Sequence, residues 1–205
     1  MNPHFIFNCL NSIREMVLND ENREASHYLS KFAQLIRMTL NQSSKQFISL
    51  KDTVDYLKRY LEMEQVRNHN FNYNIEIDER LATNEIMIPP MIIQPFLENA
   101  IWHGSQPGKE LQLQVHFLKK NEQLICIVDD NGIGIETSLK NKNDIGNGSI
   151  GIINVKERIQ MLNEKYDLNS SISVEDKSHL VPKNGTGTIV KLFFPVNALQ
   201  SRWRN

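Results

Sequence analysis

The sequence predicts an α+β protein. A helical module over residues 1–67 leads into an α/β sandwich over 68–198 with a mixed, mainly antiparallel sheet, and residues 199–205 form a C-terminal tail. Three observations carry this. The apolar period changes from helical to alternating after about Asn68. All nine glycines lie between Gly104 and Gly187. Neither glycine nor proline occurs between His4 and Ile88, so the early helices can run long.

Ile6, Leu10, Ile13 and Val17 form one predicted apolar stripe, and Leu29, Phe32, Ala33, Ile36 and Leu40 a second. Leu50, Val54, Leu57 and Leu61 form a third, with Ser49 and Asp52 placed like a capping box at its start. The polar run 41–46 separates the second helix from the third. Such stripes are too wide to bury within one helix, so a bundle is expected, with a homodimer as one way to complete it.

Beyond Asn68, Phe71, Tyr73, Ile75 and Ile77 alternate with polar residues and read as a half-buried strand. Leu111, Leu113, Val115 and Phe117 repeat the pattern, and 119–123 turns the chain into 124–129 as a hairpin. Two later strands are expected at 171–175 and 188–194, and helices at 90–103 and 150–165.

With 23 basic and 24 acidic side chains the net charge is −1, which argues against a partner held by broad attraction to nucleic acid. The longest apolar stretch, 87–97, is broken by Pro89, Pro90, Gln94 and Pro95 and is too short to span a bilayer. Cys9 and Cys126 sit among apolar neighbours and read as reduced core residues in a cytosolic setting. No signal peptide is visible in the sequence, and the fragment itself is expected to be soluble.

Four clusters carry chemistry. In the first, Pro3 suits the first turn of a helix, and His4, Asn8 and Asn11 share one face. An imidazole there offers a nucleophilic nitrogen near neutral pH; the plainer reading is a surface histidine near a chain end. In the second, Asn99 and His103 lie four apart on one helical face behind Glu98. An amide oxygen can coordinate Mg²⁺ and an imidazole can reach phosphate oxygens, with Phe96 and Ala100 on the apolar side. A helix end closed by His103 and Gly104 explains the same residues equally well.

The third cluster is Asp129-Asp130-Asn131-Gly132-Ile133-Gly134, following a strand. A carboxylate at a strand end can accept from the exocyclic amine of adenine, and glycines let backbone approach the ring. A tight turn is the competing reading. The fourth is Gly146-Asn147-Gly148-Ser149-Ile150-Gly151 running into a helix, with Gly185-Thr186-Gly187-Thr188 entering a strand. A glycine loop at a helix N-terminus presents free N–H groups to phosphates. No Walker A signature is present.

In this order the clusters resemble the ATP-binding domain of sensor histidine kinases, the Bergerat (GHKL) fold also found in gyrase and MutL ATPases. Glu98-Asn99-Ala100 looks like the N box and Asp130-Asn131-Gly132-Ile133-Gly134 like the G1 box. Ser149-Ile150-Gly151 with 154–158 looks like the G2 region, and Gly185-Thr186-Gly187-Thr188 like the last box. The segment 2–11, Tyr60-Leu61-Glu62 with Arg67, and Pro89-Pro90 with Gln94-Pro95 are similar to LytS/YesM-type kinases, whose phosphoacceptor sits in a Pro-His-Phe motif. Trp102 stands where relatives often carry lysine, and Ser149 where they often carry glycine.

The resemblance implies that Asp130 anchors adenine and that Asn99 holds Mg²⁺ on the phosphates of ATP. It adds His103, Gly132, Gly134, Gly148, Ser149, Gly151, Gly187 and Thr188 to the nucleotide-binding set. It makes 132–151 a lid, poorly ordered without nucleotide. His4 is then the phosphoacceptor and Glu98 a candidate for polarising its imidazole, with a response regulator receiver domain as the onward partner. His4 lies far along the chain from the ATP site, so the two parts are expected to swing together, within a protomer or across a dimer. The sequence starts three residues before His4, while relatives carry a sensor upstream. It is therefore expected to be a fragment from the cytoplasmic face of a membrane sensor, tied to the membrane only through segments upstream. The alternatives are a nucleotide-binding pseudokinase or interaction module, and a Bergerat ATPase doing conformational work.

Overall fold

The computed structural model describes residues 3–68, 70–104, 108–140, 147–180 and 185–196. The chain opens with α1 (Pro3–Leu18), α2 (Asn22–Ser43) and α3 (Leu50–Arg67). Asp20, at φ 60°, turns the chain between the first two helices. The Ser49 hydroxyl accepts from the Asp52 N–H at 3.0 Å and caps α3, as its sequence pattern predicts.

The third stripe is buried as expected, from Leu50 through Val54 and Leu57 to Leu61. The first two are rotated. On α1 the inward residues are Phe5 and Cys9, while Leu10 and Val17 are 47% and 49% exposed. On α2, Ala25, Tyr28 and Leu35 point inward, whereas Leu29 and Leu40 are 48% and 65% exposed and Ala33 is exposed too. Both helices carry apolar residues on two faces, and periodicity alone could not say which face meets α3. The fixed points are polar: the Tyr28 hydroxyl lies 3.3 Å from the Met63 carbonyl and 3.6 Å from Cys9 Sγ and shares its one proton between them, which orients α1 and α2 on α3 together.

Five strands form the main sheet: β2 (Phe71–Ile77), β4 (Leu111–Lys120), β5 (Gln123–Asp130), β6 (Ser171–Asp176) and β7 (Thr188–Pro195). Their spatial order is β2-β4-β5-β7-β6. Only β2 and β4 run parallel; β4–β5, β5–β7 and β6–β7 are antiparallel. The predicted hairpin is β4–β5, with Lys120 opposite Gln123 and Asn121 in the left-handed region at the turn. A short antiparallel pair, β1 (Ile48–Ser49) with β3 (Met87–Ile88), ties the start of α3 to the segment before α4 and was not read from the sequence.

Helices α4 (Gln94–His103) and α6 (Asn147–Tyr166) pack on the sheet face, beside the shorter α5 (Ile135–Lys140) and α7 (Lys177–Leu180). The helix expected from residue 90 begins only at Gln94. Met91 sits at φ 56° after two prolines, and Pro95 falls in the first turn of α4, where its missing donor costs nothing. One cluster of buried side chains runs from Phe5 to Val196, so helices and sheet share a core. Cys9 and Cys126 are both buried in it as free thiols, and burial raises the Cys9 pKa to about 11. Among the described residues no helix is long and apolar enough to cross a membrane. The tail 199–205 lies outside the described residues, as does part of the expected lid, 141–146.

Ser49→Ala should cost about 1 kcal/mol through loss of the α3 cap. Urea denaturation followed by circular dichroism would measure it, as a lower midpoint with an unchanged slope.

Candidate nucleotide and phosphoacceptor site

Strand alternation places the centre of the site. Leu124, Cys126, Val128 and Asp130 fall on one face of β5, and the first three are buried against the helices. Asp130, 6% exposed, ends that row, so its carboxylate is held on the helical side of the sheet. Its Oδ1 accepts from the Gly132 N–H at 2.8 Å and the Thr188 N–H at 3.2 Å. Among the described residues no hydrogen bond engages Oδ2. One oxygen is thus a structural anchor between two loops, and the other can accept from a ligand.

Backbone crowds around this carboxylate. A Cβ on Gly187, at φ +132°, would lie 2.0 Å from the Asp130 carbonyl oxygen. One on Gly132 would lie 2.5 Å from Gly104 Cα, so the glycine at the end of α4 seats directly on the turn after β5. One on Gly134 would meet the Asp176 carboxylate at 2.6 Å. The Asn131 side chain locks the same turn, accepting from the Gln112 N–H at 2.8 Å and donating to the Glu110 carbonyl at 3.1 Å. Lys109 Nζ adds a bond to the Asn131 carbonyl at 2.7 Å. An acceptor carboxylate inside a cradle of bare backbone suits a flat, amine-bearing base such as adenine.

Helix α4 forms the opposite wall. Phe96 and Ala100 are buried in the core, so they hold the helix instead of lining the site. Glu98 and Asn99 are half-buried beside them. Gln94 Nε2 donates to Glu98 Oε1 at 2.7 Å, and Gln94 Oε1 accepts from the Tyr56 hydroxyl at 2.9 Å. A buried chain therefore runs from α3 to the Glu98 carboxylate. Arg158 of α6 donates to the Pro90 carbonyl at 2.8 Å, clamping the turn that precedes α4. The sequence marks Gln94 and Arg158 only as parts of motifs and does not single out Tyr56; hydroxyl and amide groups near a candidate carboxylate are the available signal.

The remaining predicted residues divide. Gly148 and Ser149 fall in the first turn of α6, which begins at Asn147, three residues earlier than expected. The side chains of Ser149 and His103 lie outside the described part. Gly151 has room for a methyl group, meeting only Pro95 Cβ at 3.7 Å. Thr188 opens β7 and contributes its backbone N–H to Asp130. Among the described residues no group of three or more His, Cys, Asp or Glu is arranged to hold a metal ion.

His4 is not remote from this wall. Its ring meets the Trp102 indole edge-on, with centroids 5.8 Å apart and planes at 73°. Packing of α1 on α2 and α3 brings the chain's start to the last turn of α4 within one protomer.

The fold is that of histidine kinase catalytic regions. A solved histidine kinase domain from a blue-light activated kinase of Erythrobacter litoralis aligns over 96% of this chain and 94% of its own, with TM-score 0.54 at 18% identity. Residues 1–71 match the family model described as histidine kinase. The sensor protein LytS of Oceanobacillus iheyensis is 31% identical over 88% of this chain, and the sensor histidine kinase YesM of Bacillus subtilis 26% identical over 82%. The chain belongs with the sensor histidine kinases of the LytS and YesM type. It spans about a third of the length of those relatives, 32% of the first and 29% of the second.

Burial raises the Asp130 pKa above the ordinary 3.8, against the opposing effect of its two N–H donors. The native state then holds this proton more tightly than the unfolded chain. Its contribution to stability is present below about pH 3.8 and is lost as pH rises through the folded-state value. Asp130→Asn keeps an acceptor for both N–H groups without the buried charge. The melting temperature of the nucleotide-free variant should therefore gain on the wild type as pH is raised from 4 towards neutrality. Parallel melting curves across that range would detect a pH-independent difference if the assignment is wrong.

Proposed function

We propose that this chain is the cytoplasmic catalytic segment of a two-component sensor kinase. It would bind ATP, phosphorylate its own His4, and pass the phosphoryl group to an aspartate of a response regulator receiver domain. Residues 1–67 would serve as the dimerisation and phosphoacceptor module, and 68–198 as the nucleotide-binding domain. The observation that carries this reading is the contact of the His4 ring with Trp102, three residues beyond Asn99 on the helix that faces Asp130.

In the proposed reaction the free Asp130 oxygen accepts from the exocyclic amine of adenine, while the glycine turns leave room for the ring. Asn99 would hold Mg²⁺ through its amide oxygen, and the ion would neutralise charge on the phosphates. His103 and the first turn of α6, with Gly148, Ser149 and Gly151, would supply donors to phosphate oxygens. Glu98, oriented through Gln94 and Tyr56, is placed to polarise the imidazole or a water. Transfer itself needs mainly positioning and charge neutralisation.

Exposed Phe7, Leu10, Val17 and Leu18 on α1, with Leu29 and Leu40 on α2, support a homodimer, because a second copy would take this apolar surface from water. A pseudokinase would share the Asp130 cradle but would have no use for an imidazole beside α4. An ATPase doing conformational work would need a water, not His4, as nucleophile.

Incubation with γ-labelled ATP and Mg²⁺ should give acid-labile, base-stable phosphate on the wild type. His4→Gln should abolish that label and leave ATP affinity within about twofold, whereas Asp130→Asn should weaken ATP binding by about 100-fold or more, because a donor would then face the adenine amine. Label retained on the His4→Gln protein would overturn the phosphoacceptor assignment.

A further inference from the structure

Arg67 is the last residue of α3, and the reaction proposed above gives it no role. Its Nε donates to Glu64 Oε2 at 3.2 Å, and Nη2 bonds the same oxygen. Glu64 is 1% exposed, and its other oxygen accepts from the buried Tyr60 hydroxyl at 3.2 Å. The carboxylate is thereby fully occupied and fixes the guanidinium in place. The Arg67 side chain keeps 30% of its surface exposed, so one edge of the guanidinium still faces outward.

The direction of that edge is set by a second contact. The guanidinium carbon lies 5.4 Å from the centroid of the Trp102 ring, the ring that His4 also meets. Trp102 Nε1 is buried and has no hydrogen-bond partner among the described residues, so the indole is held through its faces and edges. A cation and an imidazole are thus brought to one aromatic ring from α3 and α1. Asn99 lies one turn earlier on the helix that carries it.

A buried carboxylate needs only one counter-charge, which a lysine or a fully buried arginine would provide. The fork geometry, the stacking on Trp102 and the open edge suit recognition of a planar array of anionic oxygens. We propose that Arg67 is the cation that meets the phosphoryl group as it passes to His4, oriented by Glu64 and by Trp102. This rests on the reading of His4 as phosphoacceptor.

In the step, an unprotonated imidazole nitrogen of His4 bonds to the γ-phosphorus of ATP as the bond to the β,γ-bridging oxygen breaks. The electron pair leaves on ADP, and the proton on the second ring nitrogen stays until solvent takes it. Charge spreads over the three oxygens of the group in flight, and Arg67 acts on those oxygens.

The test uses the whole chain with two phosphoryl donors. Phosphoramidate labels histidine without an adenine site, so it isolates the phosphoryl-transfer end from Asp130. Arg67→Lys retains a counter-charge for Glu64, and the pair Glu64→Gln with Arg67→Gln removes both charges, leaving no buried carboxylate unpaired. With phosphoramidate, His4 labelling should slow about 100-fold in the double variant and about tenfold in Arg67→Lys. With ATP, kcat should fall by a similar factor while KM for ATP moves by less than about threefold.

Phosphoramidate labelling at the wild-type rate in both Arg67 variants overturns the proposal, whatever the ATP rates. If ATP labels no form of the protein but phosphoramidate labelling still depends on Arg67, the kinase reading falls and the Arg67 assignment stands. Melting curves of each variant check that the rates come from folded protein.

Discussion

Two tyrosine hydroxyls sealed inside one face of α3 set the constraint on which the rest of the structure depends. Tyr56 and Tyr60 are 1% and 0% exposed, four residues apart, and each hydroxyl would carry an uncompensated desolvation cost of about 1–3 kcal/mol if left without a partner. Tyr56 is satisfied by Gln94 on α4, and Tyr60 by Glu64 one turn further along α3. Glu64 in turn requires a cation and takes Arg67. These obligations fix α3 against α4 at one end and leave a positioned guanidinium at the other. Tyr28, reaching the Met63 carbonyl, extends the same logic to α2 and α1.

The sheet side of the site obeys a different rule. β5 alternates, and its inward row of apolar side chains ends in a carboxylate that the core cannot hold without donors. Two backbone N–H groups, from the turn after β5 and from the start of β7, both converge on one oxygen of Asp130. Placing them there demands close backbone approach, and that is why Gly132 and Gly187 tolerate no Cβ. The anchoring of the loops and the exposure of a second acceptor oxygen are one arrangement. A variant that disturbs the turns should therefore disturb recognition as well.

Much of this was legible beforehand where the pattern was local. The β2, β4, β5, β6 and β7 spans follow from alternation, and the α3 cap from Ser49 and Asp52. Asp130 and its glycines stood out as a turn after a strand. Periodicity does not fix how α1 and α2 face α3, because Leu10, Val17, Leu29 and Leu40 make a convincing stripe yet lie exposed in the single chain. A helix with two apolar faces does not declare which one its neighbour takes. The β1–β3 pair escaped notice because two residues per strand leave no period to detect.

The sequence by itself determined the elements, their order, and the residue types able to carry phosphate chemistry. Those properties reside in short stretches of chain, where spacing and side-chain chemistry act without reference to distant parts. The tertiary structure decided which of these residues meet. It brought His4 to Trp102, joined Glu98 through Gln94 to Tyr56, and aimed Arg67 at the ring that His4 touches. Each joins residues tens of positions apart, or depends on such a contact for its aim; the Tyr56–Gln94 link arises because buried polar groups must be paired wherever the packed helices place them, and the two contacts to Trp102 follow from the same packing.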